Sequence, residues 1–118
     1  MKYMLLIHND PELHPQPGDP AWNELMAGYA AFSESLVKRG SAFAGEPLQP
    51  PMTATTVRVR DRKTILSDGP FAETKEWMSG YYQVECANLD EALGLAAQIP
   101  SAAFGSVEVR PLMDMAAH

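Results

Sequence analysis

Apolar and polar positions recur with two different periods along this chain, and each change of period marks a new element. Residues 2–8 are β-rich and largely apolar, which predicts a central strand ended by Asn9-Asp10-Pro11. Pro11, Pro15, Pro17 and Pro20 make the stretch 9–20 a loop. Trp22, Leu25, Met26, Tyr29, Phe32 and Leu36 then recur at three- and four-residue steps. That spacing predicts one apolar helical stripe, read as core against a sheet. Asp19 is placed to cap this helix and Pro20 suits its first turn. Lys38 and Arg39 complement the dipole at its end, and Gly40 can close it in a left-handed conformation.

Ser41 to Gly45 reads as a short strand, followed by an irregular stretch at Pro47, Pro50 and Pro51. From Thr55 to Arg60 the period becomes two, with Val57 and Val59 on one side and Arg58 and Arg60 on the other. Asp61-Arg62-Lys63 is a turn, and Thr64 to Ser67 returns as the second strand of a hairpin. Gly80 to Ala87 is the next strand, with Tyr82, Val84 and Cys86 opposite Tyr81, Gln83 and Glu85. Asn88 and Glu91 have capping-box spacing and open a second helix running to Ile99, ahead of Pro100. Its expected buried side is Ala92, Leu93, Ala96 and Ala97. Phe104 and Gly105 form a turn before a last strand, Ser106 to Leu112, with Val107 and Val109 inward and a frayed tail over 113–118.

The order β-α-β-(hairpin)-β-α-β predicts an α+β fold, the ferredoxin-like βαββαβ with an inserted hairpin. The chain reads as a single domain over 1–118, with the hairpin and the segment after it inserted at about 55–76. Both helices are expected on one face of an antiparallel sheet. The other face carries apolar and aromatic residues, so a homodimer packed sheet to sheet is expected.

Composition narrows the function classes. An apolar fraction of 46% with 20% charged residues fits a folded globular chain. The net charge is -6, and the nine basic residues are scattered apart from the short Arg58/Arg60/Arg62/Lys63 group, which argues against nucleic acid and anionic membranes as partners. Cys86 is the single cysteine, so no intrachain disulfide can form, and no Cys/His spacing fits structural zinc. The apolar N-terminal run is too short for a membrane span or signal peptide, and a cytoplasmic location is the expectation. No Walker loop, dinucleotide fingerprint, nucleophile elbow or Ser-His-Asp arrangement is present. No organic cofactor is expected.

The most distinctive stretch is DGPFAETKE at 68–76, a turn, an aromatic ring and a run of charges in a span too polar for core. With Met1 to Ile7, Ala44-Gly45-Glu46-Pro47-Leu48, Thr55 to Arg60, Gly80-Tyr81-Tyr82 and Val107 to Pro111, it resembles the DGPF-domain branch of the YCII-related proteins. The resemblance implies a dimeric α+β barrel built on a ferredoxin-like subunit. It also implies a gene neighbourhood of extracytoplasmic-function sigma factors. The sister group of YciI-like proteins is held to act through a His–Asp pair, and one relative dehydrochlorinates aromatics. At the corresponding positions this chain has Trp22-Asn23-Glu24-Leu25 and Gln98-Ile99-Pro100-Ser101, so that pair does not carry over.

Candidate chemistry gathers around the motif. Asp68, on a turn beside a strand end, is a candidate general base, or else a turn-fixing Asx residue. Lys75 is a candidate for stabilising an anion or enolate, while Glu73 and Glu76 offer a proton relay or structural ion pairs. Phe71 is a candidate pocket wall or loop anchor, and Tyr81 or Tyr82 could offer a hydroxyl to a ligand. His8 is a candidate acid or base at a strand end. The array His8, Asp10, Glu12, His14 has metal-binding residue types, but prolines break it and no metal site is expected. Two readings follow. One is a lyase- or isomerase-type enzyme acting on a small anionic or aromatic molecule in the barrel cleft. The other is a non-catalytic ligand- or protein-binding regulatory module.

Overall fold

In a computed structural model the chain runs β1 (Lys2–Asn9), α1 (Pro20–Arg39), β2 (Phe43–Pro47), β3 (Thr55–Arg60), β4 (Lys63–Asp68), β5 (Trp77–Glu85), α2 (Leu89–Ala97) and β6 (Gly105–Pro111). The described residues are 1–40 and 43–115. The start of the strand expected from Ser41, and the last part of the expected tail, 116–118, lie outside them. Four strands form one antiparallel sheet in the order β2-β5-β1-β6. With the hairpin set aside this is the ferredoxin-like arrangement. β3 and β4 form a separate two-stranded sheet.

The core lies between the sheet and both helices. Tyr3, Leu5 and Ile7 alternate inward along β1 and meet Phe32 and Leu36 of α1, and Ala92, Leu95 and Ala96 of α2. Leu5 and Leu36 are fully buried, each burial stabilising by about 1.5–3 kcal/mol. Gly40 closes α1 at φ 72, where its N–H reaches the Val37 carbonyl. Asp19 occupies the N-cap of α1, but its carboxylate accepts from the Gln16 N–H (2.9 Å) and not from the helix. Asn88 does cap α2, accepting from the Glu91 N–H at 3.0 Å. Glu91 does not complete a capping box; its carboxylate pairs with Arg39 and ties the two helices together.

The buried side of α2 differs from the one expected. It is Ala92, Leu95 and Ala96, continued by Ile99, while Leu93 and Ala97 are exposed. The true stripe follows i, i+3, i+4, i+7, and the neighbours at i+1 and i+5 rotate out of it. The helix also stops at Ala97, and Ile99 enters the core ahead of a 3₁₀ turn at Pro100–Ala103.

The hairpin is an arm. Asp61 (φ 50) and Arg62 (φ 65) make its two-residue turn, the primed geometry that matches strand twist. Val57 pairs with Leu66 and Val59 with Thr64, so these side chains share one face. No residue of either arm strand is buried. The Cα radius of gyration is 16.5 Å. A compact chain of this length has about 13.5 Å, and the projecting arm accounts for the excess. Gly69, at φ +92, turns the chain out of β4, and its N–H and carbonyl are held by Ala54 and Thr56.

Candidate functional site

A cavity of about 470 Å³ opens between α1 and the β2–β5 edge of the sheet. Trp22, Met26, Tyr29 and Ser33 present one face of α1 to it, beside the stripe of Leu25, Phe32 and Leu36 that goes to the core. The sequence reading placed Trp22, Met26 and Tyr29 in the core. Trp22 and Tyr29 are instead half-buried and Met26 is 39% exposed, because β2 stands away from the helix there and leaves the space unfilled. Phe43 and Leu48 bound the cavity on the β2 side, and Ile7 with Tyr82 forms its inner wall.

Its side-chain polar groups are one amide, several hydroxyls, one imidazole and, at the exposed edge, the Glu46 carboxylate. Asn9 is the next inward residue after Tyr3, Leu5 and Ile7 and is only 8% exposed. A register shift in β1–β5 falls between Ile7 and His8 and leaves Ser79 as the extra residue. Such bulges re-aim side chains, and here Ser79 Oγ accepts from Asn9 Nδ2 at 2.5 Å. Asn9 Oδ1 has no partner among the described residues. The Tyr29 hydroxyl meets Ser101 Oγ at 2.5 Å, and burial pushes the Tyr29 phenol above its ordinary pKa against the opposing effect of that bond. Tyr82 stands edge-on to Phe32 (5.0 Å between centroids), with its hydroxyl 3.4 Å from Ser33 Oγ. His14 packs edge-on to Trp22 and Phe104 at 6.2 Å. The lining contains no lysine or arginine among the described residues, and its one carboxylate, Glu46, is exposed.

These neutral, half-enclosed groups can orient a small molecule by hydrogen bonds and ring contacts. A YCII-related domain model matches residues 1–116. The chain belongs to the YCII-related family. It is also 38% identical over 114 residues to an uncharacterized protein of Rhizobium meliloti (strain 1021), covering 95% of this chain and 92% of that one.

In this YCII-related chain the residues singled out from sequence fall in several places. Tyr81 and Tyr82 point to opposite faces, as expected from the strand period; Tyr82 is on the helix side with the cavity, whereas Tyr81 borders it with its side chain on the opposite face beside Leu6. His8 lies on the sheet face away from the helices, 3.9 Å from Glu108, which also pairs with Arg110. Glu76 joins that face by accepting from Ser106 Oγ at 2.6 Å. Lys75 is exposed and 3.9 Å from Asp10, whose other oxygen accepts from the Glu12 N–H. Asp68 ends β4 exposed, and Phe71 is 82% exposed in the loop that also carries exposed Glu73. Asp68, His8 and Lys75 thus stand on three different segments, and none lines the cavity. Among the described residues no group of three or more His, Cys, Asp and Glu is placed to hold a metal, and no helix is long and apolar enough to cross a membrane.

Asn9, Ser79, Ser33 and Tyr29 were not read from sequence as site residues. For Asn9 a signal existed: it continues the inward alternation of Tyr3, Leu5 and Ile7, where a polar residue is out of place. Ser79 had none, since its orientation depends on the bulge.

Proposed function

We propose that this protein binds a small aromatic molecule in the cavity between α1 and the β2–β5 edge, and does so as a homodimer. The observation that carries the ligand reading is the make-up of the cavity. Aromatic and aliphatic walls surround a few neutral polar groups, as in small-molecule sites of about 300–1,000 Å³. Sequence reasoning pointed to anionic or aromatic molecules. Without a lysine or arginine in the lining, the aromatic class fits better.

Two uncovered apolar surfaces support the dimer. Met4, Leu6 and Tyr81 share the sheet face opposite the helices, ringed by charged residues, and Val57, Val59 and Leu66 share one face of the arm. A lone hairpin is marginal in water, so its apolar face needs a surface to cover it. A lyase- or isomerase-type role for Asp68, His8 and Lys75 requires their convergence, and within one chain they occupy separate segments. The non-catalytic binding module therefore comes first.

Thermal-shift screening of small aromatic compounds tests the ligand reading. A true ligand at one hundred times its Kd stabilises by about 2.7 kcal/mol. Ser33→Phe, which fills the cavity from α1, should abolish that shift while leaving the free protein folded. A panel with no hit, or hits indifferent to Ser33→Phe, would count against the reading.

A further inference from the structure

Resting on the homodimer reading, we infer that the arm is a cationic clasp, which docks on the acidic body of a second copy of this chain. The arm, 55–68, carries Arg58, Arg60, Arg62 and Lys63 against Asp61 and Asp68. The whole chain stands at -6, so an arm at +2 leaves the remainder at -8. Among the described residues none of the four arm cations forms an ion pair. The Arg60 guanidinium donates to the neighbouring Val59 carbonyl at 3.0 Å. On the body, Glu24, Glu46, Glu73 and Asp90 are exposed and also stand outside those ion pairs. The two sets of opposite charge do not meet within one chain, and a second copy can bring them together.

The build of the arm agrees with a protein partner. Arg58, Arg60 and Lys63 share one face, and Val57, Val59 and Leu66 share the other. An apolar face is of no use against a phosphate backbone, whereas a protein surface offers both apolar and acidic groups. Two like-charged arms repel each other, so the contact runs from arm to body. The tip supplies a second observation. Asp61 (φ 50) and Arg62 (φ 65) both hold the left-handed backbone that a two-residue primed turn demands. Glycine at 62 would close the same turn without strain. What Arg62 adds is a cation at the far end of the arm. The base is fixed by the bonds from the Gly69 N–H to the Ala54 carbonyl (2.7 Å) and from Thr56 Oγ1 to the Gly69 carbonyl (2.8 Å).

Sedimentation equilibrium of the full chain across a salt series tests the inference. Self-association should weaken about tenfold or more between about 0.05 M and 0.5 M salt, as screening removes the attraction. Arg60→Glu combined with Arg62→Glu should weaken it by about tenfold or more at low salt and leave little salt dependence. Arg62→Gly separates docking from folding. It should weaken association about two- to fivefold while leaving the melting temperature unchanged or raised, because it relieves the turn. A wild-type dimer indifferent to salt and to both variants, or one that tightens with salt, overturns the clasp and leaves the homodimer standing on apolar contacts. A wild type that is monomeric at micromolar concentration in low salt removes the homodimer and the clasp together. Should the double variant not fold by circular dichroism, the wild-type salt series and Arg62→Gly decide.

Discussion

The two faces of the four-stranded sheet carry opposite kinds of polar chemistry. On the helix side the polar groups are neutral and buried or half-buried: Asn9, Ser79, Tyr29, Ser33 and Tyr82. On the other side they are mostly charged and exposed or half-exposed: Glu108 pairs with Arg110 and Glu85 with the N-terminus, and His8 lies 3.9 Å from Glu108. Exposed pairs of this kind contribute about 0–1 kcal/mol each. A buried neutral group without a partner costs about 1–3 kcal/mol. The charged face therefore reads as a rim, and the quieter face holds the one buried side-chain polar atom without a partner among the described residues, Asn9 Oδ1.

The comparison predicts a steep contrast in stability. Leu36→Ala removes a fully buried side chain from the helix face and should cost about 2–5 kcal/mol in denaturant unfolding. His8→Ala, on the opposite face, should cost less than about 1 kcal/mol. Similar losses would mean that the open face is as tightly packed as the core, and the contrast would collapse.

The arm sharpens the contrast from outside the body. Val57→Asp combined with Val59→Asp places charges on an exposed apolar surface that none of the described residues covers. Self-association measured by sedimentation should weaken at least tenfold, an effect of about 1.4 kcal/mol or more, with the circular dichroism of the body unchanged. A wild-type chain that is already monomeric at micromolar concentration contradicts the homodimer.

A smaller effect separates the buried hydroxyls from ordinary tyrosines. The folded protein holds the Tyr29 proton more tightly than the unfolded chain, whose phenol titrates at its ordinary value of about 10. Between that pH and the higher folded pKa the native state binds more protons, so stability is full below about pH 10 and falls as pH rises. Tyr29→Phe should lose about 1 kcal/mol at neutral pH with the Ser101 bond. It should then show a shallower decline than the wild type above pH 10. Parallel profiles through that range would remove Tyr29 from the buried set.

Much of the fold was legible because period and punctuation agree. Tyr3, Leu5 and Ile7 at period two, the stripe ending in Leu36, Gly40 and Asn88 each announced their roles. The α2 face was misread because Ala-rich helices carry weak contrast, and Leu93 is as apolar in sequence as Leu95. The site was harder to see. Charged motifs such as Glu73, Lys75 and Glu76 stand out in a sequence, whereas a neutral Asn or Ser gains meaning only from burial. Asn9 could have been found by extending the strand alternation one step. Ser79 could not, because its direction comes from a bulge, and Trp22 and Met26 looked like core because β2's distance from α1 is a tertiary fact.

The central claim is that ligand recognition sits on the helix side of the sheet. Its most direct test is the map of nuclear magnetic resonance shifts on titrating indole into isotope-labelled protein. The account predicts that perturbed signals cluster on Asn9 and its side-chain amide, Ser79, Tyr29 and the Trp22 indole, with His8, Glu108 and the arm silent. Perturbations centred on His8, Glu76 and Glu108, with Asn9 unmoved, would contradict it.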